Sequence, residues 1–346
     1  MLKGYSEKVI MTKARAMFGQ NLKPQDYSEL VRKSSVADVA AFLKHQTHYS
    51  RALSAIEEHT VHRGQLELLL QRDRFHRYIR LLRYTFAREE NFYQYLIFRS
   101  ELDQIIVALR LLNTGSAEPF ILSLPSYLIE HASFSLRALA ETKSYDEVLK
   151  VVEGTRYHAI LKRLPPPGPG EPINVQGCET ALLTDYYKRV LDLIEKQFSG
   201  ASREELRRLF ILQIDAYNLS SAYRLKRFFK TDSAYIRAHL LPFDSPSTRS
   251  IELLLEAQTP QQMAEAIETT RYDLSRVNED LGLIESMVEW NNYKTSRRSI
   301  RFSTSTPVVM VALLMQLDIE LQNLTNIIEG IRYSLTQQEI SQMLIM

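Results

Sequence analysis

The sequence predicts an all-α protein made of three similar helical units of about 110 residues each. Glycine and proline, which interrupt helices, are scarce at 11 and 12 of 346 residues. Apolar residues recur at spacings of three and four in windows such as "SELVRKSSVADVAAFLKH" and "IELLLEAQTPQQMAEAIETT", and the alternation typical of strands is almost absent. Three markers also recur in the same order, which predicts units of residues 1–116, 117–232 and 233–346.

The first segment, "MLKGYSEKVIMTKARAMFGQ", alternates charged and apolar residues at helical spacing. It lacks an unbroken apolar stretch, so we expect a helix and no signal peptide. The longest uncharged apolar run extends from Pro307 to Met315, far short of the ~20 residues that cross a bilayer. With 45% hydrophobic and 24% charged residues, the composition is typical of a soluble protein that does not itself insert into a membrane.

The first marker is a tyrosine that follows an amphipathic helix in each unit. Each helix begins after a polar stop, and the three stops are "SSVADV", "KSYDEV" and "QTPQQM". The tyrosines at the end of these segments are Tyr49, Tyr157 and Tyr272. Because the stop, the helix and the tyrosine recur together, we interpret them as equivalent parts of three repeats.

The second and third markers are polar side chains within helical windows. The second is a Glu followed by Asp or Asn and then by an aromatic residue: Glu67, Asp73 and Phe75; Glu179, Asp185 and Tyr187; Glu285, Asn291 and Tyr293. The third marker follows each Glu after 36, 36 and 35 residues, at Asp103, Asp215 and Glu320. The second and third copies add Asn218 and Asn323, whereas the first has Ile106 at that position.

Asp215 shows what these polar residues are expected to do. Helical spacing places it on the same face as Leu212 and Leu219, where a carboxylate is costly unless it is paired or hydrogen-bonded. An enzyme seldom builds its active site three times in one chain. We therefore interpret the recurring carboxylates as a packing device, satisfied within each unit by tyrosine hydroxyls, backbone groups or a basic partner. An active-site acid is the alternative.

Signatures of enzymes and of nucleic-acid-binding proteins are absent from the sequence. There is no P-loop, GxGxxG, GxSxG or HExxH motif, so no catalytic or cofactor-binding residues are expected. His45 and His48, like His59 and His62, could share a helical face, but they lack a Glu or Cys partner set. We interpret them as surface histidines rather than metal ligands. Cys178 is alone, which excludes an internal disulfide, and the net charge of +2 gives no long-range attraction to nucleic acid.

One predicted helix in the first unit carries a basic stripe. Its members are spaced by four, four and three residues: Arg72, His76, Arg80 and Arg83. The matching positions of the third unit are again largely basic: Trp290, Lys294, Arg298 and Arg301. Those of the second unit are mixed: Thr184, Lys188, Asp192 and Glu195. Because internal packing imposes similar residues on repeats and partner contacts need not, the two basic stripes are candidate partner-facing surfaces. A solvated charged face is the alternative.

The ordered segments "ALLTDYYKRVLDLIEK", "LQIDAYNLSSAYRLKRFF" and "LDIELQNLTNIIEGIRYSLTQQEISQMLI" carry a resemblance to a known family. The sequence resembles the C subunit of the bacterial and archaeal V/A-type rotary ATPases, whose eukaryotic counterpart is the d subunit of the vacuolar proton pump. The segments "GYSEKVIMTKARAM" and "VADVAAFLKHQTHYSRAL" also fit the family's N-terminal pattern. The resemblance extends over essentially the whole chain.

The resemblance implies a funnel-shaped body of three helical domains and a role without catalysis or cofactor. Members of this family lie on the cytoplasmic face of the proteolipid ring and receive the central shaft, which is formed by the D and F subunits. The expected partners are thus the shaft and the ring, with stator subunits as further candidates, and ion transport is coupled to rotation. A helical-repeat scaffold that binds peptides is the alternative, although its repeats usually span only ~20–50 residues.

Overall fold

All regular secondary structure in the described part of the chain is helical. The computed structural model describes residues 2–83, 91–115, 128–168, 170–272 and 284–346. The predicted all-α class is confirmed. The helices are α1 Leu2–Gly19, α2 Pro24–Val31, α3 Val36–Gln46, α4 Arg63–Leu82, α5 Tyr95–Thr114, α6 Leu136–Ala140, α7 Tyr145–Val151, α8 Arg156–Leu161, α9 Val175–Gln197, α10 Gly200–Arg227, α11 Ser233–Ala238, α12 Thr248–Glu256, α13 Pro260–Glu268, α14 Ile284–Phe302, α15 Thr306–Arg332 and α16 Gln337–Gln342.

The polar stops in the sequence become the N-caps of three short helices. Ser35, Ser144 and Thr259 precede α3, α7 and α13, and each side-chain oxygen accepts a hydrogen bond from the backbone N–H three residues later, at 3.1, 3.3 and 3.2 Å. A cap of this kind satisfies one of the N–H groups that the first turn of a helix leaves unpaired. The local sequence therefore fixes where these helices begin.

The first compact unit combines the two ends of the chain, residues 1–87 and 272–346. Its central helix is α15, which contacts α1, α2, α3, α4, α14 and α16. Side chains from Val308 to Leu314 are at most 3% exposed, because a helix that is apolar on every side must be surrounded by protein. Among the described residues, α15 is the one helix long and apolar enough to cross a membrane, and 78% of its apolar stretch is buried inside the protein.

The second compact unit comprises residues 88–271. In it, α9 contacts α5, α8 and α10, and α10 contacts α12. An aromatic cluster holds the beginning of α5 against α10: the Phe92 ring lies 5.3 Å from Tyr95, 5.2 Å from Phe198 and 5.9 Å from Phe210. Rings at these separations add edge-to-face and stacked contacts to the burial of apolar area.

The compact units do not coincide with the three units predicted from the sequence. The predicted boundaries at 116 and 232 both fall inside the second compact unit. Contacts between the N-terminal helices and α15 give the first compact unit its two separate stretches of chain. The division into three units, and the funnel built from them, stays a prediction.

Candidate functional site

Three buried carboxylates lie on the inner faces of α5, α10 and α15. They are Glu101, Asp215 and Glu320, whose exposed fractions are 2%, 0% and 2%. Each accepts a hydrogen bond from a backbone N–H at the start of a short helix and another from a hydroxyl group. We call these three groups the carboxylate nodes.

The Glu320 node joins α15 to the N-terminal helices. Leu22, next to the N-cap of α2, donates its N–H to Glu320 Oε2 at 2.7 Å, and the Tyr49 hydroxyl donates to Oε1 at 2.8 Å. Burial and the negative charge of Glu320 raise the pKa of Tyr49 well above its usual value. The phenol therefore stays protonated at neutral pH and acts as a hydrogen-bond donor.

His48 belongs to the same node, which corrects its interpretation as a surface histidine. Its side chain is 8% exposed, and Nε2 lies 3.3 Å from Glu320 Oε1. The other ring nitrogen, Nδ1, lies 2.8 Å from the backbone oxygen of Gln20. The spacing of His45 and His48 could not reveal this contact, because Glu320 lies at the other end of the chain. The side chain of His45 is 59% exposed, as expected.

The Glu101 node repeats this arrangement in the second compact unit. The backbone N–H of Ser133, two residues before the N-cap of α6, donates to Glu101 Oε1. The hydroxyl of Tyr157 on α8 donates to Oε2 at 2.7 Å. Burial and the Glu101 carboxylate raise the pKa of Tyr157, so this tyrosine is a neutral donor like Tyr49.

The Asp215 node uses one residue for both donors. Ser247, the N-cap of α12, donates its N–H to Oδ1 at 2.9 Å and its hydroxyl to Oδ2 at 2.8 Å. Ser247 is itself fully buried. A carboxylate at a helix N-terminus also interacts favourably with the helix dipole. The node therefore fixes the start of α12 to the middle of α10.

The structure corrects the predicted register of the first copy. Asp103 was aligned with Asp215 and Glu320, but its side chain is 47% exposed and pairs with Arg99 at 3.0 Å. The buried carboxylate of α5 is Glu101. Residues two positions apart point about 200° apart around a helix, so Glu101 and Asp103 cannot both face the core. The signal that identifies Glu101 in the sequence is its helical spacing from Phe98 and Ile105, both buried.

The donors also lie outside the units in which they were expected. Glu320, near the C-terminus, is bonded to Leu22 and Tyr49 at the other end of the chain. Glu101 is bonded to Tyr157, across the predicted boundary at 116. The carboxylates of α5 and α10 accept hydrogen bonds from segments that follow these helices in the chain. The carboxylate of α15 accepts its hydrogen bonds from the N-terminal segment. The expectation of satisfaction within each predicted unit is therefore wrong.

Two asparagines form a second recurring device. Asn218 on α10 donates to the Leu241 carbonyl at 2.9 Å and accepts from the Leu241 N–H at 2.8 Å. Asn323 on α15 makes the same two bonds with Ile345, both at 2.8 Å. We call these pairs the amide clamps, and each holds an extended residue that follows a short helix. In the corrected register, the residue three positions after Glu101 is Gln104 rather than Ile106, and it is half-buried on α5.

The remaining polar markers pair with arginines. Glu67 accepts from Arg63 at 2.9 Å and Asp73 from Arg77 at 2.7 Å. The other two pairs are Glu179 with Arg110 at 2.6 Å and Asp185 with Arg156 at 2.7 and 2.8 Å. Asn291 is half-buried on α14, and the side chain of Glu285 lies outside the described residues.

These arrangements suit structural support better than chemistry. The three node carboxylates are at most 2% exposed and accept from backbone and hydroxyl donors, so none of these three faces an open cavity as a catalytic acid or base would. Among the described residues, no group of three His, Cys, Asp or Glu side chains could hold a metal ion. Burial raises the pKa of the Cys178 thiol, which disfavours the thiolate that a nucleophile requires.

The basic stripes lie on exposed helix faces. Arg72, His76 and Arg80 are exposed on α4, and Arg83 is exposed at its C-cap. Lys294, Arg298 and Arg301 are exposed on α14. Trp290 is half-buried, with the Lys294 ammonium 5.5 Å from the centre of its ring. The acids nearest to the α4 stripe in sequence, Glu67 and Asp73, are paired with arginines outside the stripe. The stripe is therefore not neutralised by these two acids.

Comparison with known proteins identifies the family. A family model described as "ATP synthase (C/AC39) subunit" matches residues 10–343. The chain belongs to this family. It is 23% identical over 340 residues to the C subunit of the A-type ATP synthase of Thermococcus kodakarensis, covering 95% of this chain and 88% of the relative. It is 25% identical over 309 residues to that of Thermococcus gammatolerans, with coverage of 85% and 78%.

A third relative agrees with these two. The C subunit of the A-type ATP synthase of Pyrococcus furiosus is 20% identical over 336 residues, which cover 95% of this chain and 87% of the relative. The family match over residues 10–343 includes the second compact unit and most of both stretches of the first. The resemblance inferred from the ordered sequence segments is thereby confirmed, and the chain is a subunit of the A/V-type ATP synthase family.

Proposed function

We propose that this chain is a non-catalytic subunit of the central rotor of a V/A-type ATPase or ATP synthase. In this role it is the socket that receives the shaft, formed by the D and F subunits, and passes rotation to or from the proteolipid ring. The observation that carries the proposal is the family match over residues 10–343. The expected location is the cytoplasmic face of the membrane, where the protein is held through the complex.

The carboxylate nodes and amide clamps support a mechanical role. A rotor element must transmit torque with little internal deformation, and close-packed protein interiors have low compressibility. Buried polar groups that are hydrogen-bonded add directional constraints that apolar packing does not supply. Each node fixes the beginning of a short helix to a long one, as Ser247 is fixed to Asp215 by two hydrogen bonds. Short helices anchored in this way resist sliding along the long helices.

The experiment that tests the proposal compares the reconstituted complex with and without this chain. We expect ATP hydrolysis by the catalytic head to persist without it, while ATP-driven ion uptake into vesicles is lost, and addition of the purified chain to restore uptake. If the complex couples hydrolysis to ion uptake equally well without the chain, the proposed socket role is refuted. Failure of the chain to co-purify with the head, shaft and ring from native membranes would also refute it.

The basic stripes on α4 and α14 are the surfaces that we assign to acidic partners in this complex. Charge pairs at the rim of an interface mainly increase the association rate and its sensitivity to salt. Arg80→Glu combined with Arg298→Glu should slow association with the shaft and flatten its salt dependence between ~0.05 and 0.5 M. Unchanged association kinetics in that range would mean that the stripes face solvent.

A further inference from the structure

An open groove runs between α1 and α4 in the first compact unit. Both helices pack against α15, and the space left between them is a cavity of about 350 Å³. Its lining residues are Lys13, Ala16, Met17, Gln20, Arg80 and Arg83. We call this cavity the α1–α4 groove.

The described lining of the groove is positively charged. Three of its six lining residues are cationic and none is acidic. The neighbouring cation on α1, Arg15, takes no part, because it donates to the carbonyls of Ile300 and Ser303 at the end of α14, at 2.9 and 2.8 Å. Arg80 in the last turn of α4 and Arg83 at its C-cap are both exposed, so their guanidinium groups can bind carboxylates side by side.

The lining also offers apolar contact between the cations. Ala16 is exposed and Met17 is half-buried, so a small side chain stands beside a flexible one. The methyl group of Ala16 leaves room for an incoming apolar side chain, and methionine adapts its shape to such a partner. A basic rim with an apolar strip is complementary to an amphipathic helix that carries acidic residues beside its apolar face.

The length of the basic surface fits a helical partner. The exposed basic residues from Arg72 to Arg83, of which Arg80 and Arg83 line the groove, extend over about 16 Å along α4 and its C-cap, which corresponds to three turns of helix. Nucleic acid is a poorer fit, because the net charge of the chain is only +2 and nucleic-acid-binding surfaces are usually strongly basic. We propose that the α1–α4 groove binds an acidic amphipathic helix of another subunit in the same complex. This inference rests on the proposed function, because the partner is a subunit of the proposed complex.

The experiment places a photoreactive residue, p-benzoylphenylalanine, at Ala16 in the assembled complex. Irradiation should attach it to another subunit, within a peptide that is net acidic and has apolar residues at spacings of three and four. Attachment to lipid, nucleic acid, or a neutral or basic peptide would overturn the proposal, as would the absence of any adduct. Mass spectrometry of the digested adduct distinguishes these outcomes.

Charge variants test whether the basic rim is responsible. Arg80→Glu with Arg83→Glu should lower the yield of the Ala16 adduct by at least about tenfold. The matched control is Arg207→Glu with Arg208→Glu, which makes the same charge change at exposed positions of α10 and should leave the yield unchanged. Equal yields from both variants would overturn the proposal. Arg80→Gln with Arg83→Gln replaces the first variant if charge reversal prevents folding.

The same preparations separate this inference from the proposed function. ATP hydrolysis and ATP-driven ion uptake are measured before irradiation. If transport is coupled but no acidic adduct forms at Ala16, the α1–α4 groove does not bind an acidic helix, while the proposed socket role still holds. A chain that does not join the complex at all would reject the socket itself.

Discussion

At the scale of single residues, the described part of the fold is organised by buried polar side chains with specific partners. A buried hydrogen-bonding group contributes little net stability when it is paired, but it is costly when its partner is removed. Asp215, Glu320 and Asn323 are each at most 2% exposed and each makes at least two hydrogen bonds. Their substitution should therefore affect stability rather than any reaction.

The Asp215 node gives the first prediction. Asp215→Ala strands the N–H and the hydroxyl of Ser247, both buried, and should lower the free energy of unfolding by about 1–3 kcal/mol. The matched control is Asp192→Ala, which removes a carboxylate at an exposed position of α9 and should cost no more than ~0.5 kcal/mol. Urea unfolding followed by circular dichroism measures both. Equal stability of the two variants would show that the Asp215 node has no role in the fold.

The clamp between Asn323 and Ile345 gives the second prediction. Asn323→Ala leaves the N–H and the carbonyl of Ile345 without their partner and should cost about 1–3 kcal/mol. Amide hydrogen exchange at Ile345 should also become faster. Asn326→Ala is the control, because Asn326 makes one exposed bond, to the Met343 carbonyl at 3.0 Å. If exchange at Ile345 is as slow in the Asn323 variant as in the unmodified protein, the clamp does not hold the C-terminal segment.

At the scale of helices, close approach decides which residues are allowed. Gly330 on α15 faces α16, and a Cβ atom added at this position would lie 2.5 Å from Cγ1 of Ile340. Ile340 is 1% exposed, so its side chain has little space to move. The absence of a side chain at Gly330 therefore allows α16 to pack against α15, although glycine is a poor helix former.

The third prediction follows from this contact. Gly330→Ala should destabilise the protein by about 1–3 kcal/mol, because overpacking outweighs the gain in helix propensity. Gly19→Ala, at the end of α1, is the control, since no atom lies within 4 Å of the added Cβ. It should be neutral or slightly stabilising. Thermal unfolding of both variants measures the difference, and a stabilised Gly330→Ala protein would contradict the close approach.

At the scale of the whole molecule, the chain forms two compact units, only one of which is continuous in sequence. The second, residues 88–271, contains the Glu101 and Asp215 nodes together with their donors Ser133, Tyr157 and Ser247. The first depends on both chain ends, because Glu320 is bonded to Leu22 and Tyr49. The two units should therefore differ in their ability to fold as fragments.

The fourth prediction concerns these fragments. Residues 88–271 alone should fold, with helical circular dichroism and a cooperative thermal transition, because their buried polar groups are satisfied internally. Residues 1–87 alone should not, since Tyr49 and the apolar faces around it lose α15. Residues 272–346, added in trans, should induce helix in that fragment. Cooperative unfolding of residues 1–87 by themselves would contradict the dependence on both ends.

The helical class, the capped starts of α3, α7 and α13, and the family could all be predicted from the sequence. These depend on periodicity, local capping and the order of segments, all of which are present in neighbouring residues. The folded structure was needed to show that Glu101 rather than Asp103 is buried, that His48 contacts Glu320, and that the N-terminal segment donates hydrogen bonds to Glu320 on α15. Similar repeats carry similar local patterns, so the pattern cannot specify which short helices pack on which long helix. That choice is made by contacts between residues distant in the chain, where burial requires each polar group to find a partner.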